Sequence, residues 1–507
     1  MASLPFIGDT EKIALAACIP TIRRFEGLDS PPEDREWFVN ATTIDVTVRY
    51  IELRHEGKSH DTALRSLNKV FMDWYGSRGL EAGPFDVPPE PEVPRPTRPV
   101  SGRLRLESGG FRDDIGFLNP VYLHAGDLFS VFVRDRGRAL AELDKIAAAG
   151  YHGARVWITL GCGPNTHHGC APHEYWYGRE VGPHVTPTYW ADLREFRDAL
   201  VARRLRLVAS QGDLTQIQDR RGYFQQLAAV DNEAPFIDFI DGGNEMWQNG
   251  EPDPAKLAQC VRWYAEAGGQ ALKTLTDAPL YGPGAPPPAE QFNRFSIPPA
   301  DLFDVHSYRG GHSWNKRQHC WGYAYKGHGA PLKENGINSE PPGHGPKVTA
   351  TENMDELDDE SLALIAAGSF LGRMAYVGFS SQGVFLGEGL ERERGFASVA
   401  RVAGLLPADV MTYRLQTHSQ PTPAGEARVL EGNGDLELRI DGRIADDGRF
   451  AFTIDGPPGE YRIPVRRAFT GELIHPGTGD SVDVSARPGD TLVVPFTRGR
   501  LFIGRIV

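Results

Sequence analysis

Two acidic residues follow apolar stretches of the chain at the points where those stretches end. Glu245 comes after the run FIDFIDGG, with Asn244 directly before it. Glu340 ends the shorter run GINSE and is followed by two prolines. Two carboxyl groups that face each other across a cleft can divide the acid/base and nucleophile roles of glycoside hydrolysis. A single acid at such a point is more often a surface or helix-capping residue. A catalytic role for these two acids therefore depends on which residues stand at the other strand ends.

Two further segments carry polar and aromatic residues at i and i+2. FDVHSY contains His306 and Tyr308, and ARVWI contains Arg155 and Trp157. Side chains alternate along a strand, so each pair lies on one side of its strand. An imidazole with a phenol, and a guanidinium with an indole, are thereby presented together.

Two loops could add aromatic contacts to a sugar. Trp176 lies in the cluster EYWY at residues 174–177, which suits stacking on a pyranose or a small core under the loop. Trp314 lies in a polar and aromatic loop at residues 312–321, where sugar contacts and ordinary loop packing both remain open.

Residues 162–173 hold two cysteines and three histidines. Zinc favours such N and S ligands, but the spacing matches no common zinc signature. A short Cys162–Cys170 disulfide that stiffens the loop is a second alternative, and we favour lining of a sugar subsite with no further role. We therefore predict no metal and no cofactor, and we keep a zinc-dependent hydrolase as a separate hypothesis.

The elements that must position these residues alternate between strands and helices over residues 101–407. Strands are predicted at 121–123, 128–129, 155–160, 205–209 and 236–240, with amphipathic helices between them. Such alternation indicates a parallel sheet, and its length fits a (β/α)8 TIM barrel. An open doubly wound sheet is the alternative, although no glycine-rich phosphate loop follows any strand. In a barrel, the strand-end acids would share the C-terminal face.

Three other segments flank or precede this α/β barrel. Residues 1–83 show helical periodicity and predict a helical N-terminal module, and residues 84–100 form a Pro-rich linker. Residues 408–507 alternate apolar and polar side chains, which predicts a C-terminal antiparallel β-sandwich. The N-terminal module could serve self-association or tethering to a larger assembly.

Composition excludes several classes of protein. The 507 residues carry 54 Lys and Arg against 67 Asp and Glu, a net charge of −13, which argues against nucleic-acid and anionic-membrane partners. No apolar run is long enough for a transmembrane helix, and five cysteines do not build a disulfide scaffold. Residues 13–22 are uncharged but follow acidic residues, so we expect a buried helix rather than a secretion signal. Localisation stays open between cytoplasmic, released by lysis and virion-associated.

The order of the strand-end residues resembles that of clan A glycoside hydrolases, and most nearly the cellulase-like family 5. The ordered set is Arg155 on a second strand, Asn244 and Glu245 after a fourth, His306 and Tyr308 on a sixth, and Glu340 on a seventh. The resemblance covers about residues 105–405. It implies a retaining β-glycoside hydrolase, endo-acting on a polysaccharide. The alternative is a non-catalytic carbohydrate-binding, virion or cell-surface protein on a degenerate barrel.

The resemblance also implies a role for each residue. Glu245 would be the general acid/base and Glu340 the nucleophile, oriented by Arg155. Asn244 would bind the sugar 2-hydroxyl, Tyr308 would donate to the nucleophile, and His306 would line the subsite. Where the family usually has a tryptophan after the last strand, this chain has Phe385. Glu352 and Glu388 remain rival nucleophiles.

Overall fold

The computed structural model describes residues 98–126, 128–159, 188–211, 217, 219–243, 251, 253–275, 297–306, 335–340, 359–378, 396–416, 439–455, 459–496 and 499–507. The chain divides into two compact units, Met1–Val93 and Pro94–Val507. The helical module predicted for residues 1–83 lies outside the described residues. Its helical character and its boundary with the linker therefore stay predictions.

The described chain begins with residues that contact the segment around Asp113. Arg98 donates to both carboxylate oxygens of Asp113 at 2.5 and 2.8 Å, and Val100 is buried. A small antiparallel sheet follows, made of β1 (Arg105–Glu107), β2 (Gly110–Arg112) and β3 (Phe117–Leu118). Residues 98–100, which the proline pattern assigns to the linker, thus pack with the barrel.

Eight parallel strands form the centre of the fold. They are β4 (Val121–His124), β5 (Gly153–Trp157), β6 (Arg206–Ser210), β7 (Ile237–Asp241), β8 (Leu272–Thr274), β9 (Phe303–His306), β10 (Gly336–Glu340) and β11 (Met374–Gly378). Their order in the sheet is β8-β7-β6-β5-β4-β11-β10-β9, which is the chain order read around a ring. The two ends of this order meet, because the Asp301 N–H donates to Lys273 O at 2.8 Å. The fold is an α/β barrel, as the sequence predicts.

Seven described helices accompany these strands. They are α1 (Leu128–Arg134), α2 (Arg136–Ala148), α3 (Tyr189–Ala202), α4 (Arg220–Glu233), α5 (Pro254–Glu266), α6 (Asp359–Leu371) and α7 (Phe396–Leu405). Aspartates cap three of them: Asp135, Asp219 and Asp253 each accept a hydrogen bond from a first-turn N–H of α2, α4 and α5. The strand predicted at 128–129 is wrong. Leu128 and Phe132 are spaced by one helical turn, and both are buried on one face of α1.

Antiparallel sheets form the C-terminal part of the same unit. A short 3-10 helix (Val410–Thr412) precedes β12 (Arg414–Gln416), β13 (Arg439–Ile444), β14 (Arg449–Asp455), β15 (Gly459–Pro464), β16 (Phe469–Ile474), β17 (Ser481–Ala486), β18 (Thr491–Phe496) and β19 (Gly499–Ile506). Six of these strands pair in the order β12-β13-β14-β19-β16-β17, and β15 pairs with β18. Phe450, Phe502, Ile463 and Val494 belong to one buried cluster, so the two sheets share a core.

Helix α6 joins the barrel to the antiparallel sheets. Leu364, Ile365 and Phe370 are fully buried, as expected of a helix covered on all sides. At its first turn the Glu360 carboxylate accepts hydrogen bonds from the Gly499 N–H (3.1 Å) and the Arg500 guanidinium (3.0 Å). These contacts make the antiparallel sheets part of the barrel's own packing.

Candidate functional site at the C-terminal rim

Four neighbouring barrel strands bring polar side chains together near their C-terminal ends. His124 ends β4, Arg155 lies on β5, Ser210 ends β6 and Asp241 ends β7. All four side chains are buried. The C-terminal ends of barrel strands are where enzymes of this architecture place their active sites. We call these four residues the rim cluster.

Arg155 is the centre of the rim cluster. One guanidinium nitrogen lies 3.4 Å from His124 Nδ1, and another donates to Ser210 Oγ at 3.3 Å. A guanidinium can only donate, so His124 Nδ1 is the acceptor in this contact. Two partners on the flanking strands therefore fix the plane of the buried cation.

Asp241 links the rim cluster to the turn that follows β7. Ser210 donates to Asp241 Oδ2 at 3.0 Å, and the Gly243 N–H donates to Asp241 Oδ1 at 3.0 Å. In the chain, Gly243 is followed directly by Asn244 and Glu245. The aspartate thus holds the backbone that leads into the predicted acid/base.

Both glycines of this turn are required by its geometry. Gly243 has a φ of 152°, in the region that favours glycine. A Cβ on Gly242 would lie 2.8 Å from Leu275 Cδ2 and 3.2 Å from Leu257 O. The Gly242 N–H donates to Thr274 O at 3.1 Å, which ties the turn to β8 as well. The glycine pair therefore allows the close approach of β7 to its neighbours.

One aromatic residue packs against the rim cluster, and two others hold the residues that follow its strands. The Trp157 ring packs edge to face with His124, their centroids 5.4 Å apart. On the helix side, Tyr189 donates to Ile158 O at 2.6 Å, and Tyr223 donates to Gln211 Oε1 at 2.9 Å. Burial raises the pKa of Tyr223, so its hydroxyl stays protonated and able to donate. These contacts fix the residues that follow β5 and β6.

The structure places four of the nine predicted site residues. Arg155 and Trp157 lie on β5, the second barrel strand, and their side chains are both buried at the rim. His306 ends β9 and Glu340 ends β10, the sixth and seventh strands, and the two residues are register partners. Five other predicted residues lie outside the described ranges: Trp176, Asn244, Glu245, Tyr308 and Trp314. The rivals Glu352 and Glu388 and the pair Cys162 and Cys170 also lie outside them.

The sequence reasoning missed His124, Ser210 and Asp241. Each is the polar residue that ends an apolar strand, in VYLH, RLVAS and IDFID respectively. The rule that selected Glu340, an acid at the end of an apolar strand, also applies to Asp241, and the same rule widened to any polar residue would select His124 and Ser210. Their contacts with one another depend on strand register, which the sequence pattern does not contain.

The described residues present neither a metal centre nor a helix that could span a membrane. These residues include no group of three or more His, Cys, Asp or Glu side chains arranged to hold a metal ion. No helix in the described ranges is long and apolar enough to cross a membrane. The Cys and His loop at 162–173 lies outside the described residues.

Comparison with known proteins connects this chain to glycoside hydrolases through its fold. No family model and no curated protein matches the sequence. A solved glycoside hydrolase superposes with a TM-score of 0.57 at 12% identity, over 80% of this chain and 97% of its own. A glycoside hydrolase family 5 structure from Bacteroides vulgatus superposes with the same TM-score and identity, over 80% and 93%. The resemblance that the strand-end residues indicate is therefore confirmed at the level of the fold.

Proposed function

We propose that this chain is a retaining β-glycoside hydrolase that uses Glu245 as general acid/base and Glu340 as nucleophile. The observation that carries the proposal is the rim cluster, in which a buried arginine is linked through Ser210 and Asp241 to the turn before Glu245. A buried guanidinium fixed near the face where barrel active sites lie suits the support of an ionised nucleophile. The fold shared with solved glycoside hydrolases supports the same reading.

The proposed reaction has two steps. In the first, the Glu340 carboxylate attacks the anomeric carbon, the bond to the leaving oxygen breaks, and Glu245 gives that oxygen its proton. In the second, Glu245 takes a proton from water, whose oxygen attacks the same carbon and releases Glu340. Two inversions give net retention of configuration. Arg155 supports the ionised form of the nucleophile, since a fixed positive charge favours a nearby carboxylate.

The substrate class is an oligosaccharide or polysaccharide, attacked at internal bonds. Purified full chain would be tested on β-glucans, mannans, xylans and arabinogalactans. Internal cleavage lowers polymer viscosity early, while release from chain ends does not. Activity that survives removal of metal by a chelator fits the proposal. Bound zinc with chelator-sensitive activity would favour the zinc-dependent hydrolase, and binding without hydrolysis would favour the degenerate barrel.

The two acids are distinguished by azide rescue on an activated aryl β-glycoside. Glu245→Ala still forms the covalent intermediate, which azide attacks to give a β-azide product. Glu340→Ala loses the nucleophile, so azide enters from the opposite face and gives an α-azide product. Glu352→Ala and Glu388→Ala are the matched controls and should keep activity. If either control abolishes turnover while Glu340→Ala does not, the nucleophile is misassigned.

The flanking segments also enter the proposal. We propose that the antiparallel sheets form a β-sandwich accessory domain, and that residues 1–83 form a helical module for self-association or tethering. The mass in solution tests the module. The full chain should exceed monomer mass if the module self-associates, while a chain of residues 94–507 should be monomeric.

A further inference from the structure

We propose that Asp241 is a positioning residue that aligns both halves of the catalytic apparatus; this inference rests on the proposed function. Its two carboxylate oxygens make separate contacts. Oδ1 accepts from the Gly243 N–H and Oδ2 accepts from the Ser210 hydroxyl, each at 3.0 Å. Oδ1 therefore holds the turn that leads to the acid/base, and Oδ2 holds the hydroxyl that contacts Arg155.

The first contact controls where the chain goes after β7. Asp241 is the last residue of the strand, and only Gly242 and Gly243 separate it from Asn244. Gly243 adopts a φ of 152°. Fixing a glycine in one conformation costs more backbone entropy than fixing any other residue. An oxygen held by a buried strand fixes that conformation. Without it, the Gly–Gly pair would sample other conformations and carry Asn244 and Glu245 with it.

The second contact controls the orientation of Arg155. Ser210 donates its only proton to Asp241, so its oxygen faces the guanidinium as an acceptor, 3.3 Å from a guanidinium nitrogen. If Asp241 did not accept that proton, the hydroxyl could turn its hydrogen toward the cation. The carboxylate thereby reaches the fully buried arginine through one hydroxyl group. Asp241 thus sets the direction of the Ser210 dipole that Arg155 uses.

Substitutions separate the two contacts. Asp241→Ala removes both, whereas Ser210→Ala removes the link to Arg155 and leaves the Gly243 contact. Asp241→Asn is the conservative variant, because its amide oxygen can still accept from the Gly243 N–H. The probes are two aryl β-glycosides of the sugar that the wild-type protein hydrolyses. One has a 2,4-dinitrophenyl leaving group, which needs no proton, and the other a phenyl group, which does.

A misplaced general acid lowers the rate most for substrates whose leaving group needs a proton. For Asp241→Ala we expect kcat/KM on the phenyl substrate to fall by about 100-fold more than on the dinitrophenyl substrate, within the ~10²–10⁴-fold that general acid catalysis contributes. Asp241→Asn should restore most of this difference. Ser210→Ala should lower kcat/KM by the same factor on both substrates, because the contact between Ser210 and Arg155 affects the nucleophile and not the acid.

The matched control is Asp231→Asn, a change to a second buried aspartate that precedes the same strand. Asp231 accepts from the Phe236 and Ile237 N–H groups, at the opposite end of β7 from the rim. Disturbing the structure at that end of β7 should reduce kcat/KM equally on both substrates. Equal losses in Asp241→Ala, or an Asp241→Asn variant without rescue, would overturn the inference while leaving the hydrolase intact. A wild-type protein inactive on every β-glycoside would instead remove the proposed function, and the inference with it.

Discussion

The Tyr122 phenol donates a 2.7 Å hydrogen bond to Asp238 Oδ2 across the interior of the barrel. The bond joins β4 to β7, and both side chains are buried. Burial raises the pKa of Asp238 to about 6 from an ordinary value of 3.8. It also raises the pKa of Tyr122, so the phenol remains the donor. The barrel thus encloses a carboxyl group that takes up a proton more readily in the folded state than in the unfolded state.

Asp238→Asn should remove a loss of folding stability that grows as pH rises. Between pH 4 and 6 the folded wild-type protein holds a proton on Asp238 that the unfolded chain has lost, so this group lowers the free energy of unfolding as pH rises through that window. The variant has no such group. We expect its free energy of unfolding relative to wild type to increase by about 2.5 kcal/mol from pH 4 to pH 7. Urea unfolding at four pH values measures this, and a difference independent of pH would refute it.

For His152→Asn, the free energy of unfolding relative to wild type should change with pH in the opposite direction. His152 Nδ1 accepts from the Val121 N–H at 3.0 Å, a bond that an Asn oxygen can replace. Burial, with the Arg98 charge second, lowers the pKa of His152 to about 4. The unfolded chain therefore binds the extra proton between pH 4 and 6.5, and this histidine removes stability as pH falls. Relative to wild type, the variant should gain about 3 kcal/mol from pH 7 to pH 4.

The double variant provides the control for both pH predictions. Asp238 and His152 titrate over nearly the same range with opposite signs, so their contributions nearly cancel in the wild-type protein. Wild type and the double variant should therefore show similar pH profiles from pH 4 to 7, with the two single variants diverging on either side. Single variants that shift in the same direction would show that one assignment of sign is wrong.

Sequence pattern predicts the barrel because buried parallel strands and amphipathic helices leave distinct periodicities. It also orders the strands correctly, so that Arg155 and Glu340 fall on the second and seventh. Pattern fails where a feature depends on contacts between distant strands. Asp238 is an acid inside an apolar strand, and nothing near it in the chain reveals Tyr122 as its partner. The link from Arg155 to Asp241 likewise depends on three strands in register.

Two truncations should locate the true start of the barrel unit. A chain of residues 94–507 keeps the Arg98–Asp113 ion pair and the buried Val100 side chain, and should unfold as stably as the barrel of the full protein. A chain of residues 101–507 loses both contacts. We expect it to be about 2–4 kcal/mol less stable, from lost apolar burial and a buried acceptor without its donor. Equal thermal transitions in the two chains would show that residues 98–100 add nothing.

Arg155→Lys should reduce turnover although it keeps the positive charge. The guanidinium reaches His124 on one side and Ser210 on the other, and a single ammonium group cannot reproduce that planar fork. Under the proposed mechanism the nucleophile would lose its oriented partner. We expect kcat to fall by about 100-fold with little change in KM, as for the loss of one preorganised donor.

Arg194→Lys is the matched control for that change. Arg194 lies on α3 and makes an exposed ion pair with Glu233, 2.6 Å between Nη2 and Oε1, away from the rim cluster. Exposed pairs of this kind contribute little to stability, so this variant should keep both kcat and the thermal transition of the wild-type protein. Steady-state kinetics on one aryl β-glycoside, with thermal unfolding of each variant, separate the two cases. If Arg155→Lys is folded and turns over as fast as Arg194→Lys, the buried guanidinium does not orient the nucleophile and serves only the packing of β4, β5 and β6.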